Sequence, residues 1–198
     1  LPRKLSAYRW KELASFDGEQ AVSFELRFEE PGAEPTVIHG SKGEQGWTSE
    51  PEAIGPGKAS GLVSELSALR AEEVAADAMG DAERAALGLA PPRATLRVLG
   101  KPNEGHADGA VLAEVWLGMP AADGRIPAQR GGEPVVYWLA ASAREQLPVS
   151  LAAFRESFVA KEEVKPAEGA EPAAEDQSVG EPDTLAPPED QSAPPPAE

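Results

Sequence analysis

Leu87-Gly88-Leu89-Ala90-Pro91-Pro92-Arg93-Ala94-Thr95-Leu96-Arg97-Val98 is the stretch that sets the order of helix and strand in this chain. A glycine takes the left-handed backbone that ends a helix, and a proline presses the residue before it toward extended geometry. Gly88 and the Pro91-Pro92 step therefore predict a helix stop followed by a strand start. Leu96 and Val98 stand two residues apart and share one face of that strand. Working backward, Asp81 to Leu87 becomes a short helix. Further back, Leu62, Leu66 and Leu69, with Val63 beside them, recur at i, i+4, i+7 and define an amphipathic helix fit to cover a sheet. Working forward, Ala94 to Leu99, Val111 to Leu117 and Pro134 to Leu139 read as strands, joined by turn-rich connections at Lys101 to Gly109 and Ala121 to Gly132. The last of the three carries apolar residues on both faces, which predicts a strand that is central or covered on both sides. Ser142 to Leu147 and Leu151 to Val159 read as short helices, with Ser142 and Ser150 at their starts, where a serine oxygen can cap free backbone donors. The second presents Leu151, Phe154 and Phe158 at helical spacing.

Toward the N-terminus, Leu5 to Phe16 reads as a short helix or an irregular entry. Val22 to Phe28 alternates, so Val22, Phe24, Leu26 and Phe28 are predicted to line one face of a half-buried strand. Pro31-Gly32 breaks it, Thr36 to His39 reads as its hairpin partner, and Gly46-Trp47 falls in a third short strand. Gly55-Pro56-Gly57 marks the next turn. The prediction is one α+β domain over residues 1–164, a mainly antiparallel sheet covered by one principal amphipathic helix.

Residues 165–198 are a different polymer. They hold eight prolines and one lysine against nine acids, a charge of −8, while the preceding 164 residues hold 17 basic and 25 acidic residues, also −8. With almost nothing large and apolar, this acidic Pro/Ala-rich tail cannot offset its ordering entropy and is expected to be disordered. Glu175-Asp176-Gln177-Ser178 and Glu189-Asp190-Gln191-Ser192 repeat one short acidic element within it. A total charge of −16 over 198 residues is repelled by phosphates and anionic lipid, which points away from nucleic-acid binding and electrostatic membrane docking. The absence of cysteine removes disulfides, thiolate nucleophiles and sulfur-based zinc sites. The sequence shows no transmembrane run and no signal peptide, and because it opens on Leu1 an anchor or export signal is expected in a longer product.

No motif carries chemistry. His39 and His106 lack a spaced second histidine, and no serine lies in a Gly-x-Ser-x-Gly elbow. Gly55-Pro56-Gly57-Lys58 lacks the ending of a phosphate loop, and Asp108-Gly109 and Asp123-Gly124 read as turns rather than calcium loops. No catalytic, cofactor-binding or metal-binding residue is predicted, and no cofactor. The candidates for partner binding are Trp47, Trp116 and Trp138, because tryptophan brings large apolar area with a polar handle. Against this stands the reading in which Trp116 and Trp138 pack under a helix.

These landmarks together resemble a family. Trp47 in a short strand, the helix around Leu62 to Leu69, Leu87-Gly88-Leu89-x-Pro-Pro before a strand, Leu117-Gly118 closing the next, and Val135-Val136-Tyr137-Trp138-Leu139 before a short helix are similar to the DUF4340 family of uncharacterised bacterial proteins. The likeness runs over Ala14 to Glu163. Leu87 stands where that family usually has tyrosine, and Ile126-Pro127-Ala128 replaces its usual tyrosine-containing strand. The resemblance implies an α+β module behind an N-terminal membrane anchor, facing the outside of the inner membrane, in a family some of whose members accompany ABC-type exporters related to gliding-motility components. The expected function is a non-enzymatic extracytoplasmic accessory or scaffolding domain with a protein partner in the envelope. The alternatives are a glycan- or peptide-binding module using exposed tryptophans and, behind it, a carboxylate-based hydrolase.

Overall fold

In the computed structural model, which describes residues 11–55, 57–102 and 109–160, the strand launched after Pro92 runs Ala94–Gly100. The described residues fall within one compact unit, Leu1–Glu162. The predicted tail at 165–198, residues 5–10 of the Leu5 to Phe16 segment, and His106 lie outside the described residues. In chain order the elements are β1 (Ala21–Phe28), β2 (Thr36–Gly43), β3 (Gly46–Glu50), α1 (Lys58–Ser67), β4 (Glu73–Ala76), α2 (Asp81–Ala86), β5 (Ala94–Gly100), β6 (Val111–Leu117), β7 (Ile126–Arg130), β8 (Val136–Leu139) and α3 (Leu151–Ser157). Two short 3-10 helices, Gly18–Gln20 and Ala141–Glu145, complete the set.

The strands form one 8-stranded sheet in the order β3-β2-β1-β5-β6-β7-β8-β4, and each pairing is antiparallel. One face is buried. Phe24, Leu26 and Phe28 of β1, Leu96 and Val98 of β5, and Val115 and Leu117 of β6 share a core with Leu62, Val63 and Leu66 of α1 and Leu151 and Phe154 of α3. α1 is the principal cover predicted from its leucines. α3 lies beside it and brings the Phe154 ring within 5.7 Å of the Phe28 ring. The fold is α+β, with α1 and α3 packed on one face of the sheet.

The signal at Leu87 to Pro92 resolves into hydrogen bonds. Beyond α2, Gly88 takes φ +70°, its N–H donates to the Ala85 carbonyl at 3.0 Å, and the Leu89 N–H reaches back to the Arg84 carbonyl at 2.8 Å. This is the paired closure that satisfies the last carbonyls of a helix, and it needs a left-handed residue at its first position. The Leu87 carbonyl turns outward and accepts from the Met119 N–H at 2.8 Å. A Cβ on Gly118 would stand 2.1 Å from that same carbonyl oxygen. Gly88 and Gly118 thus serve one junction: the first turns the chain, and the second lets the turned carbonyl approach.

Three expectations are corrected. The buried face of β1 is Ala21, Phe24, Leu26 and Phe28, with Val22 half-buried, because the register against β5 shifts between Ala21 and Ser23. A bulge costs one residue of alternation. Ala121 to Gly132 is not all connection, since it contains β7. Of the two readings for Leu5 to Phe16, the described part, Lys11 to Phe16, is the irregular entry, pinned to the end of α1 and beyond by Leu13 N–H to the Leu69 carbonyl at 2.9 Å and Phe16 N–H to the Ser67 carbonyl at 3.0 Å. Of the two helix-start serines, Ser150 caps α3 by accepting from the Ala153 N–H at 3.2 Å, whereas the residue before Ala141–Glu145 is Ala140, with no side-chain cap.

Candidate functional site

Strand register assigns each tryptophan to a face. In β6, Ala113, Val115 and Leu117 point into the core, so Trp116 points to the other side. Trp116 pairs with Gln129, and Gln129 with Val136, while Pro127 pairs with Trp138. Neighbours in one register row share a face, so Trp116 and Trp138 stand on the same side of the sheet with β7 between them. Strand spacing of about 4.8 Å and a rise of about 3.3 Å per residue put their Cα atoms roughly 12 Å apart. Both are half-buried, and neither belongs to the core beneath α1 and α3. Those two helices cover the opposite face, so they are not the cover predicted for Trp116 and Trp138. Trp47 is separated from the pair. It faces the helix side, pairs with Lys42, and packs against the core through the Phe24 ring at 5.4 Å.

Polar groups around the Trp116 and Trp138 face engage one another. The Trp116 Nε1–H donates to Glu114 Oε1 at 2.9 Å, and Arg97 lies 3.5 Å from the second oxygen of the same carboxylate. Arg97 pairs in turn with Glu25, and Glu25 with His39, so a row of polar residues, Glu114, Arg97, Glu25 and His39, crosses β6, β5, β1 and β2. The Arg125 guanidinium sits 5.0 Å from the centre of the Trp138 ring, where the ring's negative face attracts it. Arg125 also donates to Asp123 Oδ2 at 2.7 Å and to Glu73 Oε2 at 3.2 Å. Those hydrogen bonds hold the Asp123 carboxyl below its ordinary value and raise the guanidinium of Arg125 above its own. Between the tryptophans lies Gln129, 1% exposed. Its amide nitrogen donates to the Glu133 carbonyl, while its side-chain oxygen is buried with no hydrogen-bond partner.

Among the described residues no group of three or more His, Cys, Asp or Glu stands where it could hold a metal ion. His39 is on the exposed face, 3.7 Å from Glu25. Asp123-Gly124 forms a turn, closed by the Gly124 N–H on the Ala121 carbonyl at 2.9 Å.

Arg125 and Gln129 were not among the residues predicted from sequence. Each owes its place to β7 or the residue just before it, and β7 carries no alternation to reveal it. The sequence did carry one unused signal: Ser60, Ser64 and Ser67 recur at i, i+4, i+7 on α1, and all three line a groove beside Trp47.

Compared with known proteins, residues 56–184 match the family model described as Domain of unknown function (DUF4340). The match contains Leu87 to Pro92, Leu117-Gly118 and Val135 to Leu139, and begins after Trp47. No curated protein and no solved structure matches the chain.

Proposed function

This chain belongs to the DUF4340 family, a domain of unknown function, and we propose that it is a non-enzymatic accessory or scaffolding domain of a bacterial envelope assembly, holding a protein partner on the extracytoplasmic side. The observation that carries this reading is the pair Trp116 and Trp138, half-buried on the face that α1 and α3 leave alone. Tryptophan and arginine dominate the centres of protein interfaces, because a large ring gives apolar area at low entropic cost and a guanidinium stacks on it. Here Trp138 already carries Arg125 over its ring, and Trp116 is fixed by Glu114. The anchors are therefore ordered before a partner arrives, which lowers the cost of binding. Charged groups on this face are engaged with one another in pairs, an arrangement that suits recognition better than proton transfer. The envelope setting, with an ABC-type transporter as the assembly, is supported by the family resemblance.

Crosslinking in native cells followed by purification of the full gene product tests this. The wild-type chain is expected to bring down an inner-membrane transporter subunit or another envelope protein. The Trp116→Ala, Trp138→Ala double variant should lose at least tenfold of that yield while still unfolding cooperatively. Wild-type chain that recovers no envelope protein overturns the reading.

A further inference from the structure

On the other side of the sheet, α1, the β2–β3 hairpin and the 3-10 turn at Gly18–Gln20 border an open groove of about 400 Å³ with Trp47 in its lining. Sites for small organic ligands span roughly 300–1,000 Å³. Trp47 is half-buried and backed by the Phe24 ring, tilted 39° at 5.4 Å, so the indole is held in place by packing. One wall is the row of Ser60, Ser64 and Ser67 on α1. At a rise of 1.5 Å per residue their span along the helix is about 10 Å. Asp17, Glu19 and Lys42 also line it, with Asp17 Oδ1 already accepting from the Glu19 N–H at 2.9 Å.

We propose that this groove binds a saccharide built from equatorially substituted pyranose rings. Such a ring has an apolar C–H face that stacks on an indole, and a rim of hydroxyls that each seek both a donor and an acceptor. The Ser60 and Ser64 hydroxyls can supply both, the Ser67 hydroxyl, which donates to the Ser64 carbonyl at 2.7 Å, accepts, carboxylates accept, and the ammonium donates. An anionic ligand would meet two carboxylates against one ammonium, and an apolar side chain placed on Trp47 would leave the polar walls unmatched. The inference is independent of the protein-partner face, because it uses the opposite side of the sheet and none of the same residues.

Isothermal titration of the full chain with the tetramer of β-1,4-linked N-acetylglucosamine and with cellotetraose tests it, with tetralysine as the probe for a basic peptide. Saturable heat is expected with at least one sugar. It should weaken tenfold or more in Trp47→Ala, survive largely in Trp47→Phe, and weaken tenfold or more in Ser64→Lys. Ser64 is exposed on α1, so its variant fills the groove while leaving the core intact and separates lost binding from lost folding. No saturable heat with either sugar, binding indifferent to Ser64→Lys, or saturation by tetralysine alone overturns the proposal.

Discussion

Leu87 contributes to its junction through a backbone atom. Its carbonyl accepts from Met119, which any side chain permits, whereas Gly88 and Gly118 hold positions that backbone geometry reserves for glycine. Gly118→Ala forces a Cβ to 2.1 Å from the Leu87 oxygen and 2.9 Å from Pro127 Cγ. It is expected to destabilise the fold by roughly 2–3 kcal/mol, read as a lower urea midpoint at unchanged slope. Gly61 gives the opposite sign. It lies inside α1, and a Cβ there meets nothing within 4 Å, so Gly61→Ala should stabilise by about 0.5–1 kcal/mol by narrowing the unfolded ensemble. Asp123 offers a test by titration. Its carboxyl is held low by hydrogen bonds from Arg125, so the contribution it makes is present above the unfolded-state value and fades as pH falls through the lowered one. Replacing Arg125 by alanine removes the cause, and the carboxyl resonance followed by NMR should then titrate at higher pH; an unmoved midpoint would show that Arg125 is not what holds it.

Elements whose pattern is local were legible in the sequence, and those that depend on their neighbours were not. α1, β5 and β6 announce themselves through leucine spacing or alternation, and Gly88 with Pro91-Pro92 marks the junction between helix and strand. β7 does not. Its sequence Ile126–Arg130 contains Pro127 and Gln129, four of its five residues are buried, and Asp123-Gly124 and Gly131-Gly132 frame it like a loop. Without β7 the register from Trp116 through Gln129 to Val136 cannot be written, so the shared face of Trp116 and Trp138 stayed hidden although both had been singled out. β4 escaped for a simpler reason, being four residues at a sheet edge. The two helix-start serines show how far composition reaches. Ser150 and Ser142 look alike in sequence, yet only Ser150 holds a free backbone donor. Ser150→Ala should therefore cost about 1 kcal/mol, and Ser142→Ala should stay within about 0.5 kcal/mol. Equal losses in thermal unfolding would contradict the capping assignment.

At the scale of the molecule, the family match and the folded unit do not start at the same place. The match opens at residue 56, after β1, β2 and β3, yet the strand order places β1 against β5 in the middle of the sheet. A fragment beginning at residue 56 would carry five of the eight strands and leave the long edge of β5 open, its N–H and C=O groups facing water or another chain. It would also lose Phe24, Leu26, Phe28 and Ile38, each at most 1% exposed. Burying one such side chain contributes roughly 1.5–3 kcal/mol, so four contribute on the order of 6–12 kcal/mol. Whole-domain stabilities are typically about 5–15 kcal/mol. The fragment 56–198 is accordingly expected to show no cooperative denaturant transition and to associate as concentration rises, while the chain 1–198 unfolds in one step. A fragment that unfolds cooperatively as a monomer would mean that β5 can end the sheet unaided, and that the three leading strands add to a domain already complete without them.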